Sequence, residues 1–532
     1  VSFDADAIPK DILKRYSLPD LKTSLIYIHT PKERGHAEAA RKRFSFEEIL
    51  LIQLEKEQVR QELRKKSSLK IETDKKDLLS FTERFPFKMT DAQKRAAEAI
   101  SKDFLRGHPM SRLLEGDVGS GKTAVAATAS YAVIRNGFQV AYMAPTEILA
   151  RQHFESFIKY FSPPAGGLPI NIALITGSGC RKFPSKVNPQ DSTNISRSQL
   201  LKWVANGEIQ IVLGTHALIE KSVKFKRLAL AIVDEQHRFG VKQRQKLISK
   251  EGDIPHLLSM TATPIPRTLA LTLYGDLDLT LLDEMPEGRK KIATEIVSPE
   301  GRLKAYEEIR KELRNGRQLY VICPRIDEPD PTKELAIQAK SVKKEAKRLK
   351  EDVFPEYRIA ILHSKMKPAE KEKVMMDFEK HEIDILVSTS VVEVGVNVEN
   401  ASLIIIEGAE RFGLAQLHQL RGRVLRGTHQ PYCFILTESN SRATVARLDA
   451  LKRAKDGFEL AEFDLENRGA GSLSGIKQWG ISDIGMDAIK NLKMVEAARH
   501  EAQRLVAEDS GLSRYPTLLA HMESKQKKIH FE

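Results

Sequence analysis

Between about Phe81 and Met285, short apolar runs alternate with stretches of helical pattern. The runs are Val140 to Met143, Ile172 to Ile175, Ile209 to Leu213, Leu228 to Val233 and Leu257 to Met260. Strand-length apolar segments separated by helices predict the rhythm of a parallel α/β sheet. Pro286-Glu287-Gly288-Arg289 interrupts the series, and a second one comes after it with strands expected over Gln318 to Cys323, Arg358 to Leu362, Ile383 to Val387, Ser402 to Glu407 and Tyr432 to Leu436. The first 80 residues are charged and mainly helical in pattern. There Ser45 and Glu48 form a capping box ahead of Phe46, Ile49, Leu50, Ile52 and Leu54, predicting a helix that runs to about Lys65. After Thr437 a helical hairpin is expected, with Val445, Leu448 and Leu451 on one face, a turn at Asp456-Gly457, a helix over Phe458 to Glu466, and a loop at Arg468-Gly469-Ala470-Gly471.

Composition narrows this picture. At 532 residues the chain exceeds a single core, so two to four domains are expected, and 41% hydrophobic residues mark it as globular. Its apolar runs fall short of the roughly 18 residues that span a bilayer, and no segment reads as a signal peptide. The expectation is a soluble, cytoplasmic protein with no membrane partner. Cys180, Cys323 and Cys433 are odd in number, far apart and without zinc spacing, which reads as buried thiols. Lys and Arg total 85 against 72 Asp and Glu, a net charge of +13. That excess suits a polyanionic partner, but it suits a solubilising coat equally well.

Candidate chemistry decides between these. Gly116-Asp117-Val118-Gly119-Ser120-Gly121-Lys122-Thr123 fits the phosphate-binding loop at every defined position. Its glycines let N–H groups curl around phosphates, Lys122 would reach the β and γ oxygens, and Thr123 would place its hydroxyl on magnesium. The strand ending at Val233 delivers Asp234-Glu235-Gln236-His237. By itself an Asp-Glu pair there is more often a solvated strand end. Beside a phosphate loop, Asp234 becomes the magnesium partner and Glu235 the base that orients water. The first series alone carries such a loop, so two lobes around one nucleotide suggest a machine that opens and closes.

Further motifs stand after predicted strands. Ala144-Pro145-Thr146-Glu147, Thr176-Gly177-Ser178 and Gly214-Thr215-His216 are small, hydroxyl-bearing loops suited to a phosphodiester backbone without reading bases. Met260-Thr261-Ala262-Thr263-Pro264 could link a γ-phosphate sensor to the lobe interface. In the second lobe stand Thr389 to Val398 and Gln416 to Gly427, the latter placing Arg423 and Arg426 three apart. An arginine supplied across a cleft neutralises developing phosphate charge, worth roughly a thousand-fold in rate.

Through GDVGSGKT, MAPTEILARQH, GTHALI, DEQHRFG, MTATPIPRTLAL, EVGV, ERFGLAQLHQLRGR and DGFELAEFDLENRG, the chain resembles superfamily 2 helicases, specifically the bacterial RecG family, from about residue 8 to 500. The resemblance implies two tandem RecA-like parallel-sheet lobes with a helical N-terminal segment and a C-terminal helical hairpin. The expected boundaries are 1–80, an ATP-binding lobe over 81–288, a second lobe over 289–439, and hairpin, loop and tail over 440–532. It implies an adenine-recognising element at Thr90 and Gln93 with Phe87 as stacking partner, and coupling of hydrolysis to lobe movement through Gln236 and His237. DNA contact or translocation would fall to Pro145, Thr146, Thr176, Gly177, Thr215, His216, Thr389, Arg453, Arg468 and Gln478. ATP and Mg2+ are the implied cofactors. The implied partners are double-stranded and branched DNA, with a single-strand-binding protein as a further one and a monomer as the acting form.

The chain departs from the family pattern in four places. IPKDILKRY near the start resembles the segment just after the RecG wedge domain, so that OB-fold domain is expected to be missing from this chain. Asn397 stands where the family has a ribose-contacting Asp, Leu425 replaces a Gly between Arg423 and Arg426, and Ser364 replaces a Gly after His363. The leading expectation is an ATP-driven translocase and helicase that remodels stalled forks, Holliday junctions and R-loops. A translocase that displaces a protein from DNA, and a nucleotide-gated clamp with weak turnover motivated by Asn397 and Leu425, are the alternatives.

Overall fold

Strands β1 Ser111–Gly116, β2 Gln139–Met143, β3 Ile172–Thr176, β4 Gly179–Phe183, β5 Thr193–Ile195, β6 Ile211–Gly214, β7 Leu228–Val233, β8 His256–Thr261 and β9 Asp278–Leu282 build one sheet, in the order β5-β4-β3-β6-β2-β7-β8-β1-β9. The structure is a computed structural model that describes residues 6–162, 170–235, 253–263, 265–286, 288–324, 341–363, 365–389, 398–425, 427, 429–439, 441–467, 482, 485 and 488–529. From β3 across to β1 the strands pair in parallel, while β4 runs antiparallel to both β3 and β5; β2, β3 and β8 are buried along their whole length, as a sheet covered on both faces requires. A second sheet, wholly parallel, takes β10 Ala293–Val297, β11 Leu319–Ile322, β12 Ile359–Leu362, β13 Ile385–Ser388, β14 Leu403–Ile406 and β15 Tyr432–Leu436 in the order β10-β15-β14-β11-β13-β12. The two-lobe α/β architecture expected from the apolar runs is present.

Chain contacts divide the molecule into two compact units. One comprises Ser68–Pro264 and Thr280–Leu460, and holds both sheets. The other gathers Val1–Ser67, Ile265–Leu279 and Ala461–Glu532. In the latter, helix Arg34–Arg64 packs along helix Leu492–Glu508, burying Phe46, Ile49, Leu50 and Leu54 with Val495, Ala498, Ala502 and Leu505. Its buried charges are matched: Arg43 pairs with Asp6 at 2.6 Å and with Glu47, and Glu501 is held by Arg504 at 2.9 Å, Tyr16 at 3.0 Å and Arg15.

Three expectations are corrected. Ser45 does not start a helix, because one 31-residue helix runs through it from an N-cap at Glu33. The paired, fully buried Arg43 draws the polar segment ahead of Ser45 into that helix, a tertiary contact that outweighs the local capping signal. Val445 is 44% exposed and does not share the buried face of Leu448 and Leu451. Strands β4, β5, β9 and β10 were not expected; their mixed polar sequences lie at a sheet edge or, for β4, next to one, where part of the strand stays in water. The three cysteines are buried and unbridged, and burial pushes the Cys433 thiol up to about 12.

Candidate functional site

Parallel register brings the candidate residues to one edge of the first sheet. Leu113 of β1 and Val233 of β7 both lie level with Ser259 of β8, so the loop after β1 and the carboxylates after β7 emerge side by side at the strands' carboxyl ends. Gly119 and Gly121 hold φ of +86° and +83°, a conformation that side chains rarely adopt, and helix Lys122–Arg135 starts immediately after them. Its N-terminal N–H groups therefore face the loop's interior. Lys122 donates to the carbonyls of Gly116 at 2.6 Å and Asp117 at 2.8 Å.

Asp234 is buried at the end of β7 and accepts from His153 at 2.8 Å and from the Glu235 N–H at 3.1 Å. Burial would raise its pKa, but the hydrogen bond and charge of His153, the charge of Lys122 and the Glu235 N–H outweigh it and hold the carboxyl below its ordinary range. Glu235 has a φ of +52°, the left-handed region, where a non-glycine residue is held at a cost of about 1 kcal/mol or more. Close by, the buried Tyr142 phenol lies 3.3 Å from the His153 ring, and its pKa is driven well up by burial and then by the charges of Asp234 and Glu235. Asp234 is buried and Glu235 half-buried, and their carboxylates with the Thr123 hydroxyl would supply the oxygen donors that a hard divalent cation takes.

Thr90 caps helix Asp91–Phe104 in a full capping box with Gln93, and the Gln93 amide donates to the Ser120 carbonyl at 2.7 Å. Its Cδ would lie 3.2 Å from a Cβ on Gly121, so the start of helix Asp91–Phe104 and the loop Gly116 to Thr123 are one packed piece. Phe87 is half-buried with its ring 5.6 Å from that of Phe85.

The second sheet reaches the same loop through helix Leu414–Arg421 and the turn Gly422–Val424. His418 bonds the Asp117 carboxylate, and the Gly457 N–H, first of helix Gly457–Asn467, donates to that carboxylate's other oxygen at 2.9 Å. Burial would raise Asp117, but His418 first, then Gly457 and Lys122, bring it below the ordinary range. Arg421 can only donate, and it reaches His418 Nδ1 at 3.0 Å, so Nε2 carries the proton toward Asp117. The other Arg421 nitrogen donates to the Leu451 carbonyl on helix Arg442–Arg453. Gln419 donates to the Thr263 hydroxyl at 2.6 Å, and Arg151 pairs with Glu372.

Arg423 is buried within this turn. Leu425 comes next but one with φ −82°, an ordinary conformation, so the residue in place of glycine introduces no backbone strain. Arg453 is exposed and pairs with Asp449 at 3.4 Å. Gln236, His237, Ser364, Asn397, Arg426, Arg468 and Gln478 lie outside the described residues.

The loops read as phosphodiester contacts divide by exposure. Thr176, Thr215 and Thr389 are buried, and the Thr176 hydroxyl is used internally on Ser178 at 3.0 Å and the Gly179 carbonyl at 3.1 Å. Gly177 and His216 are exposed, and Pro145 and Thr146 half-exposed. The buried Thr176, Thr215 and Thr389 side chains shape their loops, which leaves the exposed positions beside them to meet a ligand. Glu147 ties two of these loops together by accepting from the Gly177 N–H at 2.9 Å and the Ser178 hydroxyl at 2.6 Å. Sequence reasoning passed over Glu147, His153, His418 and Gln419. Each stands inside a motif singled out above, but nothing in its spacing names a partner up to 301 positions away.

Residues 90–272 match the DEAD/DEAH box helicase family and 303–428 the helicase conserved C-terminal domain. The chain is 41% identical to the ATP-dependent DNA helicase RecG of Synechocystis sp., over 99% of its own length and 61% of that protein's. It is 43% identical to RecG of Bacillus subtilis, over 95% of its length and 71% of the relative's. A solved structure of RecG bound to a three-way DNA junction superposes with a TM-score of 0.73 and 37% identity, covering 92% of this chain and 62% of that one. The chain thus spans about three fifths to seven tenths of these relatives' length. Identity sustained over nearly the whole chain, with both sheets and the loop-bearing edge in place, makes this protein a member of the RecG helicase family.

Proposed function

We propose that the chain is an ATP-dependent double-stranded DNA translocase and helicase that remodels branched DNA such as stalled forks, Holliday junctions and R-loops. The observation that carries this reading is Asp117. One carboxylate of the nucleotide loop is held both by His418 of the second sheet's helix and by the Gly457 N–H that opens a helix of the hairpin. A change at the phosphates therefore has a direct mechanical route to the hairpin. The RecG relative's complex with a three-way junction supports branched DNA as the substrate class.

In this reading the loop N–H groups and Lys122 hold the polyphosphate, and Thr123 and Asp234 hold Mg2+. The metal, when bound, neutralises charge on the β and γ oxygens. Glu235 accepts a proton from the attacking water or orients it, and Arg423 supplies positive charge from the second lobe. Thr90 and Gln93 fix the adenine side. The exposed His216 ring and the Thr146 hydroxyl present donors to phosphodiester oxygens, Pro145 and Gly177 shape the loops beside them, and Arg453 serves the hairpin. The clamp alternative keeps both of its motives, since Asn397 and Arg426, whose approach the Leu425 side chain would restrict, lie outside the described residues.

The test is ATP turnover without DNA, with single strands, with duplex and with a model fork. Fork stimulation is expected in the wild type, and Lys122→Ala and Glu235→Gln should each lose at least about a hundred-fold. Undiminished turnover in either variant overturns the proposal.

A further inference from the structure

Arg289 lies in the connection from β9 to β10, the segment that joins the two sheets, just after Gly288 with its φ of +85°. Its guanidinium packs onto the phosphate loop. A Cβ built on Gly119 would overlap Nη1 and stand 2.9 Å from Cζ, so the glycine leaves room for this cation as well as for its own turn. Nη1 is buried without a hydrogen-bond partner, and among the described residues no carboxylate pairs with Arg289. Burial alone pulls its pKa below the ordinary arginine value. By contrast the fully buried Arg43 is answered by Asp6 and Glu47, and the buried Arg112 by Asp103 at 2.6 Å. A desolvated, unanswered guanidinium is costly, and it stays in place when an anion completes it. The loop against which it lies suits an anion, since the helix that starts at Lys122 turns its first N–H groups toward it and carries the Lys122 ammonium there.

We propose that Arg289 is a phosphate-binding residue, whose guanidinium contacts the polyphosphate of the nucleotide held by Gly116 to Thr123. This rests on the nucleotide reading above and deepens it. Because Arg289 belongs to the segment joining the sheets, the same contact ties that segment's position to nucleotide occupancy. Lys122 and Arg423 reach the phosphates from the loop and from the second lobe; Arg289 does so from the connection between them. Its planar fork suits phosphate oxygens better than an ammonium would.

The experiment titrates the whole chain with fluorescent ADP and a fluorescent non-hydrolysable ATP analogue, for wild type, Arg289→Gln, Arg289→Lys and Lys122→Ala. Arg289→Gln is expected to weaken binding by roughly ten- to a hundred-fold, as loss of a charge-assisted hydrogen bond does, with Arg289→Lys recovering part. Unchanged or tighter binding in Arg289→Gln, with Lys122→Ala still impaired, overturns this inference alone. Unchanged binding in Lys122→Ala overturns the nucleotide reading itself. Hydrogen exchange on the wild type gives a readout that needs no variant to fold. Residues 283–292 should gain protection on adding either nucleotide, and unaltered exchange there also overturns the inference.

Discussion

Gly422 shows how much a single position decides where the two sheets meet the phosphate loop. Its φ of −63° suits any residue, yet a Cβ there would come within 2.9 Å of the Val118 Cβ. The glycine is needed for close approach, not for its conformational freedom. Gly422→Ala should force Val118 or the turn aside at a cost of about 1–3 kcal/mol, which, if it falls on the closed form, corresponds to a loss of roughly five- to 150-fold in kcat/KM for ATP. Val118→Ala combined with it should restore most of that loss; a double variant no better than the single one would show that the contact is not what matters. His418 acts at the same scale. Removing it in His418→Ala frees one side of Asp117, and the ratio of fork-stimulated to DNA-free turnover should fall by about five-fold or more, the lower range of typical site-to-site coupling. An unchanged ratio would separate Asp117 from the hairpin.

At the scale of elements, the second sheet carries a titration of its own. Glu407 comes directly after β14, and its carboxyl is raised to about 7, first by burial and then by the charge of Glu345. Arg302 at 3.4 Å and Arg348 at 3.7 Å do not offset this, because Arg348 is already committed to Glu345 at 2.6 Å. The folded state therefore binds this proton more tightly than the unfolded chain, whose value is near 4.5. The associated stabilisation is complete below about pH 4.5, declines as pH rises to about 7, and is flat beyond. Its size is at most about 3 kcal/mol. Denaturant midpoints between pH 5 and 8 should fall in the wild type and stay level over that window in Glu407→Gln. A parallel decline in both would assign the dependence elsewhere.

For the whole molecule, the relevant quantities are charge and polyanion. A net charge of +13 with phosphate-directed loops predicts DNA binding that depends steeply on salt and weakly on sequence. Affinity for a fork should drop roughly a thousand-fold between 50 and 200 mM salt. Arg453→Ala should weaken all duplexes alike and reduce the logarithmic salt slope by about one. A flat salt response would contradict the proposed interface. Among the described residues no helix is long and apolar enough to cross a membrane.

Local physics accounts for the features that the sequence alone decided. Apolar runs such as Leu228–Val233 make buried parallel strands wherever they fall, and a loop with Gly119 and Gly121 can take positive φ because those residues lack a Cβ. So the two sheets, the phosphate loop and the carboxylates after β7 were legible, together with the family resemblance. Helix Arg34–Arg64 was legible only in part, since its first third is polar and is stabilised by Asp6, some 37 positions away from Arg43. The partners of Asp117 and Asp234 were not legible at all. His418 is 301 positions from Asp117, His153 is 81 from Asp234, and Arg289 reaches Gly119 from another element. Such pairings are set by how sheets and helices stack, and a side chain's identity does not say which distant backbone will be folded beside it.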